Sequence, residues 1–203
     1  MATAVAPVLD EGHDEHRTST GMSNTKLAMW IFLGSECLLF GGLISSYLLY
    51  KTRGNGTAVP TDVFDIPFTS VSSFVLLMSS MTMVLALSSL RRGDEALSRV
   101  WTLTTAMLGG VFIGGQVYEF TTFLREGLGF TTNPASSAFF TLTGFHGVHV
   151  ALGITMLMST FVMSAKGKLH QEQSETLEIV GLYWHFVDVV WIVLFTVVYL
   201  VPA

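Results

Sequence analysis

Charged residues are scarce in this sequence: Asp, Glu, Lys and Arg make up only 12% of its 203 residues. Soluble domains usually carry about twice that fraction, and so few charges could not cover a water-exposed surface. Half of the residues are hydrophobic and the mean hydropathy is +0.56, which favours a lipid environment. The net charge of −5 lacks the basic excess of nucleic-acid-binding proteins, so we expect no nucleic-acid partner.

Cysteine is also nearly absent, since Cys37 is the single one and lies in an apolar segment. One thiol excludes an intramolecular disulfide framework and any cysteine-rich metal site. The first 25 residues contain no apolar run of signal-peptide length, but they hold histidines and acidic residues between His13 and His16. A weak metal site there is the alternative to the flexible polar tail that we expect over residues 1–25. Residues 26–203 are then a single membrane domain.

Five long apolar stretches fill that domain. Each has about 20 or more residues, enough to cross a hydrocarbon core of about 30 Å at about 1.5 Å per residue. They must be helical, because a lipid-exposed backbone has to satisfy its own hydrogen bonds. The predicted helices cover residues 26–50, 68–90, 100–124, 136–163 and 179–201. The sequence therefore predicts an all-α integral membrane protein, a bundle of five transmembrane helices.

The basic residues predict the orientation of this bundle, because they are enriched on the cytoplasmic side of a membrane. If the N-terminus is cytoplasmic, seven basic residues lie inside and three lie outside. The inner ones are Arg17, Lys26, Arg91, Arg92, Arg99, Lys166 and Lys168, and the outer ones are Lys51, Arg53 and Arg125. This bias favours a cytoplasmic N-terminus and an external C-terminus.

Ionisable side chains inside the predicted helices are the candidate functional residues, because burying them in lipid is costly without a partner or a function. Glu36 lies about ten residues into the first helix, at a depth of about 15 Å. It is either a proton-linked carboxyl or a neutral one bonded to a neighbouring helix. Near the outer end of the third helix, Glu119 follows Gln116 by about one turn.

Two pairs of ionisable residues have the i, i+3 spacing that places side chains on one helical face. His146 and His149 form the first pair, and His185 and Asp188 form the second. Two such imidazoles can bind one metal ion, and His185 with Glu36 would complete an iron or zinc set. The glycines around the first pair favour close helix packing instead. For the second pair we expect a structural hydrogen bond rather than a proton relay.

The tryptophans divide into two groups by position. Trp30, Trp101 and Trp184 lie near predicted helix ends, where this residue commonly anchors a helix at the membrane interface. Trp191 lies one turn beyond Asp188, and we expect it to pack inside the bundle.

Four motifs resemble subunit III of the haem-copper terminal oxidases, in its short five-helix bacterial form. They occur in the order and spacing of that family and extend over most of the predicted membrane domain. The motifs are WIFLGSECLLF at Trp30–Phe40, GQVYEF at Gly115–Phe120, GFHGVHV at Gly144–Val150 and YWHFVDVVW at Tyr183–Trp191, the last continuing through FTVVYL at Phe195–Leu200.

The resemblance implies a non-catalytic subunit of a proton-pumping respiratory oxidase that reduces oxygen to water. In this family haem and copper belong to partner subunits. Subunit III packs mainly against subunit I, supports proton uptake and binds phospholipid in a cleft. By the same resemblance, Glu36, His146 and His149 line the lipid cleft or are linked to protons. The structural polar network would comprise Gln116, Glu119, Trp184, His185, Asp188 and Trp191.

Two departures from the longer, seven-helix members affect the lipid site. The two N-terminal helices that help to wall the cleft have no counterpart here, so an adjacent subunit would complete it. An arginine late in the fourth helix is replaced by Met163. Lys166 and Lys168 are the nearest cations and could reach a lipid headgroup by snorkelling. We expect a multi-pass protein of the bacterial cell membrane that holds no redox centre itself.

Several alternatives stay open at this point. Cytochrome c is the preferred electron donor of the complex, with quinol a close second. An accessory subunit of a nitric oxide reductase system would share the fold. A free-standing metalloenzyme built on His146, His149, His185 and Glu36 is a third possibility. A self-sufficient oxidase is disfavoured, because three membrane histidines and one cysteine are too few for two haems and copper. A small transporter is disfavoured because there is no inverted repeat.

Overall fold

The computed structural model describes residues 22–53 and 65–201, which form five long helices. All five are long and apolar enough to cross a membrane, so the predicted all-α membrane fold is confirmed. Residues 1–21, most of the predicted tail, lie outside the described part. The helices are α1 (Asn24–Arg53), α2 (Ile66–Arg91), α3 (Glu95–Arg125), α4 (Pro134–Ala165) and α5 (Ser174–Phe195).

Helices α1 to α4 are longer than the apolar stretches that predicted them, and α5 starts earlier and ends earlier than predicted. Helix α3 begins at Glu95 and α5 at Ser174, each five residues before the predicted start. Apolar composition marks only the part of a helix inside hydrocarbon, whereas these helices continue with a polar turn at one end. Beyond α5 the chain continues as a π-helical turn, Thr196–Leu200.

Short polar turns join the helices where the sequence places them. Gly93 has φ +82, a conformation that glycine adopts without steric cost, and it connects α2 to α3. The Asp94 carboxylate then accepts a hydrogen bond from Leu97 N at 2.9 Å. In the same way, Asn133 caps α4 by accepting from Ser136 N at 2.7 Å. Such caps satisfy backbone N–H groups that have no partner inside the helix.

Helices α2, α3, α4 and α5 form a closed ring, in which each packs against two others. Helix α1 packs outside this ring, against α4 and α5. Only 11% of the apolar segment of α1 is buried, compared with 44% for α5. Helix α1 therefore leaves most of its surface free for lipid or for another protein.

Trp184 lies at the centre of the ring and is completely buried. Two glycines make room for its indole: a Cβ added at Gly109 of α3 would lie 2.5 Å from the ring, and one at Gly153 of α4 would lie 2.8 Å from it. The prediction that Trp184 is an interfacial anchor is therefore wrong. The indole instead holds three helices at close distance, while Trp30 remains half exposed on α1.

Candidate functional site: polar side chains between the helices

Glu36 of α1 and His149 of α4 form a hydrogen-bonded pair between the two helices. Their Oε2 and Nε2 atoms are 3.1 Å apart, and the two side chains are only 14% and 10% exposed. The other ring nitrogen of His149, Nδ1, lies 2.7 Å from the Phe145 carbonyl oxygen. A carbonyl oxygen can only accept a hydrogen bond, so Nδ1 must carry a hydrogen.

This arrangement determines how many protons the pair holds. With Nδ1 protonated, a neutral imidazole has only a lone pair at Nε2, and Glu36 must then donate as the carboxylic acid. If Nε2 also carries a hydrogen, the imidazole is a cation and Glu36 accepts as a carboxylate. In both forms one proton lies between Oε2 and Nε2, and the net charge of the pair is zero. Such a pair avoids the cost of an uncompensated charge in lipid.

Aromatic rings surround the pair. Phe40 packs its ring against the His149 imidazole with 5.1 Å between centroids. Tyr183 of α5 donates its hydroxyl hydrogen to the His149 carbonyl oxygen at 3.0 Å, and Phe32 stacks on Tyr183. These contacts fix the imidazole between three helices, α1, α4 and α5.

A groove of about 630 Å³ lies between α1 and α4, at the end of the bundle where α4 begins. It starts at Leu43, about two turns beyond Glu36 on α1, and reaches the loop before α4. Its lining combines apolar side chains with hydroxyl and amide groups, a mixture that an acyl chain with a polar headgroup could occupy. The lining residues are Leu43, Ser46, Tyr50, Thr131, Thr132, Asn133, Pro134, Ser137, Ala138 and Thr141.

Serine and threonine side chains of α2 bind most members of the predicted polar network. Trp184 donates Nε1–H to Ser79 at 2.9 Å, and Trp191 donates to Ser73 at 2.8 Å. The Ser80 hydroxyl lies 2.5 Å from His185 Nδ1. Glu119 of α3 accepts a hydrogen bond from the Thr69 hydroxyl, and Gln116 donates to the Thr143 carbonyl oxygen of α4 at 2.9 Å. The network is thus a set of separate interhelical bonds.

Asp188 and His146 are buried without hydrogen-bond partners among the described residues. His146 stacks on Trp191 with 4.9 Å between centroids and meets the edge of Phe112. No direct hydrogen bond joins His185 to Asp188; the Ser80 hydroxyl bonds His185 Nδ1 and also lies beside the Asp188 carboxyl. The predicted structural bond of this pair is therefore not formed, and His146 is an aromatic packing residue.

The four residues proposed for a metal site have different neighbours. Glu36 and His149 bind each other, whereas His185 binds Ser80 of α2 and lines an apolar groove between α1 and α5. In the described part of the chain, no three His, Cys, Asp or Glu side chains are close enough to share a metal ion. The geometry therefore gives no support to the metalloenzyme hypothesis.

Charged side chains join α1 to the last helix at both ends. At one end, Glu178 of α5 pairs with Lys26 of α1 and, at 2.8 Å, with Arg91 of α2. At the other end, Lys51 donates to the carbonyl oxygens of Val197 and Val201, at 3.2 and 2.5 Å. These contacts were not predicted from the sequence, which counted the three cations only as markers of orientation.

Lys166 and Lys168 lie just beyond α4, at the end of that helix opposite the α1–α4 groove. Lys166 is the C-cap residue of α4, and both side chains are exposed. Their predicted contact with a headgroup therefore concerns the other surface of the membrane and stays a prediction.

His170 forms an exposed pair with Glu95 in the segment between α4 and α5. Its Nδ1 lies 2.7 Å from the Glu95 carboxylate, and its side chain is 55% exposed. The hydrogen bond to Glu95, and then the negative charge of that group, raise the pKa of His170 above its usual range. The pair connects the start of α3 with the segment that leads into α5.

The α2 hydroxyls are functional partners that the sequence reasoning missed. Thr69, Ser73 and Ser80 follow one another at intervals of four and seven residues, which places them on one helical face. A row of small polar residues on one face of an apolar helix was therefore the available signal. Their partners Glu119, His185 and Trp191 were predicted as members of the polar network, but not which residue of α2 each one meets.

The family model described as "Cytochrome c oxidase subunit III" matches residues 5–202. Cytochrome c oxidase subunit 3 of Bacillus sp. (strain PS3) is 39% identical over 87% of this chain and 86% of that protein. Quinol oxidase subunit 3 of Bacillus subtilis (strain 168) is 38% identical, covering 92% and 91%. Cytochrome bo(3) ubiquinol oxidase subunit 3 of Pseudomonas aeruginosa is 33% identical over the full length of both.

Proposed function

Because the chain belongs to the cytochrome c oxidase subunit III family, we propose that it is the non-catalytic third subunit of a proton-pumping terminal oxidase. It packs against subunit I, stabilises it, binds membrane lipid and supports proton uptake while oxygen is reduced to water. Haem and copper reside in the partner subunits. The observation that carries this proposal is the match to the family over residues 5–202.

Cytochrome c is the electron donor that we propose for the complex, with quinol as the second candidate. The relatives named above include subunits of both oxidase types, at 39% and 38% identity, so this chain does not discriminate between the donors. The haem types of the purified complex and its turnover with each reduced donor are the deciding measurements.

The Glu36–His149 pair is the part of this chain that we assign to lipid and proton linkage. It contains the carboxyl that the family resemblance places beside the lipid cleft, and it lies on the same α1–α4 interface as the 630 Å³ groove. An acyl chain in that groove would lie along Leu43 and Ala138. Its headgroup would meet Thr132 and Asn133. His146 supports the site indirectly, since it lies one turn before His149 on α4 and its ring packs on Trp191 of α5.

The protein is proposed to lie in the bacterial cell membrane with its N-terminus in the cytoplasm and its C-terminus outside. The end that carries Lys26, Arg91 and Glu178 is then cytoplasmic. Lys166 and Lys168 face the same surface, where they are available to anionic headgroups. Subunit I is the main protein contact in this proposal, and other oxidase subunits and lipid cover the rest.

Purification through this chain in a mild detergent tests the proposal. A redox difference spectrum should show haem, and mass spectrometry should identify a large multi-helix subunit with it. Metal analysis of the chain alone should give no stoichiometric iron or zinc. A colourless chain that purifies alone with one bound metal ion would overturn the proposal, and a nitric oxide reductase as the only partner would favour the alternative.

A further inference from the structure

Asp188 is a buried carboxyl without a hydrogen-bond donor in the described part of the chain. It is 2% exposed, and neither of its carboxyl oxygens has a partner there. Trp184 and Trp191 lie one turn before and one turn after it on α5, but their indole N–H groups already donate to Ser79 and Ser73. A polar group without a partner is unfavourable in an apolar interior, and a charged one is costlier still. The packing of the bundle therefore does not explain this carboxyl.

Ser80 of α2 lies between this carboxyl and His185. Its hydroxyl is 2.5 Å from His185 Nδ1 and lies beside the Asp188 carboxyl. His185 comes three residues before Asp188, a spacing that puts both side chains on one face of α5. A rotation of the carboxyl would complete a row of three side chains, an imidazole, a hydroxyl and a carboxylic acid. Each of these groups can both donate and accept a hydrogen bond.

A groove between α2 and α5 reaches the imidazole end of this row. Its volume of about 220 Å³ has room for several water molecules, which occupy about 30 Å³ each. Glu178 and Arg91, paired at 2.8 Å, lie at the end where α2 ends, and His185 lies about 10 Å further along α5. The groove thus connects a charged end of the bundle with the imidazole. It is lined by Met83, Val84, Leu87, Arg91, Glu178, Gly181, Leu182 and His185.

From these contacts we infer that His185, Ser80 and Asp188 form a proton relay, with Asp188 as the buried proton-binding site and the α2–α5 groove as its entrance. In the loaded form, the Asp188 acid donates to the Ser80 hydroxyl, Ser80 donates to Nδ1 of His185, and Nε2 carries the imidazole hydrogen. On release, the Ser80 hydrogen moves to Nδ1, the Asp188 proton moves to Ser80, and Nε2 gives its hydrogen to water in the groove. One proton leaves, the imidazole changes tautomer, and the carboxylate accepts from Ser80. Uptake reverses each transfer.

The ionisable groups of the helices around α5 have other neighbours. Glu36 of α1 binds His149 of α4. Glu119 of α3 binds a threonine that lies about 16 Å from Ser80 along α2. His146 of α4 stacks on a tryptophan beyond the relay and has no hydrogen bond to the described residues. The relay is therefore a second proton-linked site, separate from the one in the proposed function. Its use in proton uptake rests on that function, whereas the relay itself is a property of this chain.

Deuterium exchange at the Asp188 carboxyl tests the relay in the full chain, purified with its partners. Infrared spectroscopy follows the carbonyl stretch of the protonated carboxyl as D₂O replaces water, and Asp188→Asn assigns the band by its loss. We expect the wild-type band to shift, and Ser80→Ala to slow this exchange about tenfold, because one bond of the row is missing. Ser80→Thr keeps the hydroxyl and should exchange like the wild type. Ser70→Ala is the control, since Ser70 is exposed and bonds the Ile66 carbonyl of its own helix.

His185→Gln separates proton transfer from hydrogen bonding. Glutamine can still bond Ser80, but it has no second tautomer through which to pass a proton, so the exchange should again slow about tenfold. A purely structural role predicts the opposite, since looser packing admits water and speeds the exchange.

Three results would overturn the relay: an Asp188 carboxylic acid band that is absent, a band that D₂O does not shift, or exchange in Ser80→Ala and His185→Gln that is as fast as in the wild type or faster. Haem in the same preparations tests the proposed function separately. A chain that purifies without haem but shows the slowed exchange would refute that function and keep the relay.

Discussion

Glu36 and His149 share one proton across the interface of α1 and α4, because the other imidazole nitrogen, Nδ1, donates its hydrogen bond to the Phe145 carbonyl oxygen. The pair is neutral as a whole in either of its two forms. Removing one partner therefore has a different effect from replacing it with a side chain that still forms the bond.

Glu36→Leu should destabilise the chain, and Glu36→Gln should not do so to the same extent. Leucine leaves His149 Nε2 without a partner in a buried site, which costs about 1–3 kcal/mol. Glutamine can donate to the same nitrogen and should cost less than about 1 kcal/mol. Denaturant unfolding in detergent, followed by helical circular dichroism, measures the difference. Equal loss for both variants would contradict the shared-proton geometry.

Lipid content should respond to the same substitution in the assembled oxidase. We predict that Glu36→Gln lowers the number of phospholipids retained through delipidating purification, while the initial rate of electron transfer is unchanged. The reason is that the pair lies on the same α1–α4 interface as the groove, whereas the proposed function assigns the redox centres to the partner subunits. Ser159→Ala, on an exposed part of α4, is the control. An immediate and complete loss of oxidase activity in an assembled complex would refute the prediction.

Adding one methyl group beside Trp184 should distinguish the two adjacent glycines of α3. Gly109→Ala places a Cβ 2.5 Å from the indole, and such overpacking costs about 1–3 kcal/mol. Gly110→Ala meets nothing within 4 Å of the described chain and should stabilise the helix by about 0.5–1 kcal/mol. Thermal unfolding of both variants in one detergent provides the test. A neutral Gly109→Ala would show that the indole can move.

Ser79 should stabilise the folded chain through the hydrogen bond that it accepts from Trp184, rather than through bonds within its own helix. Ser79→Ala leaves the buried indole N–H without an acceptor, at a cost of about 1–3 kcal/mol. Ser45→Ala is the control, because within residues 22–53 and 65–201 the Ser45 hydroxyl bonds only to the Gly41 carbonyl of its own helix. The N–H band of tryptophan in ultraviolet resonance Raman spectra should shift in Ser79→Ala alone. An unshifted band would contradict the assigned bond.

The His170–Glu95 pair predicts a small dependence of stability on pH. The folded pKa of His170 is raised, chiefly by the hydrogen bond to Glu95, so the protonated form favours the folded state. This stabilisation is complete below the unfolded pKa of about 6.5 and is lost as the pH rises through the raised folded value. Glu172 also raises this pKa. A nuclear magnetic resonance titration should show the pKa of His170 fall in Glu95→Gln, with no change in Glu126→Gln. An equal pKa in wild type and Glu95→Gln would refute the assignment.

The number of helices and their connecting turns follow from the sequence because they depend on local properties. Apolar length predicts each span, and the turn at Gly93 and the cap at Asn133 are encoded within a few residues. The starts of α3 and α5 were predicted too late in the sequence, because the polar first turns of these two helices resemble loops in composition. Local patterns thus describe the elements well and their boundaries less well.

Contacts between helices depend on which faces meet, and no local pattern encodes that choice. Glu36 and His149 are 113 residues apart, and the sequence grouped them only with other residues, in a metal set or a lipid cleft, and not as a hydrogen-bonded pair. Trp184 was placed at an interface because it follows a polar segment, although the glycines that receive its indole belong to α3 and α4. Pairing across helices is a property of the whole bundle.

The position of α1 outside the ring has a consequence for biogenesis. The residues that hold this helix, among them His149, Glu178 and the carbonyl of Val201, all belong to the second half of the chain. During synthesis α1 therefore enters the membrane before any of these partners has been translated. Glu36 has no His149 beside it until α4 is inserted, and Lys26 has no Glu178 until α5 follows. Helix α1 is thus made before α4 and α5 but is fixed only after both have been inserted.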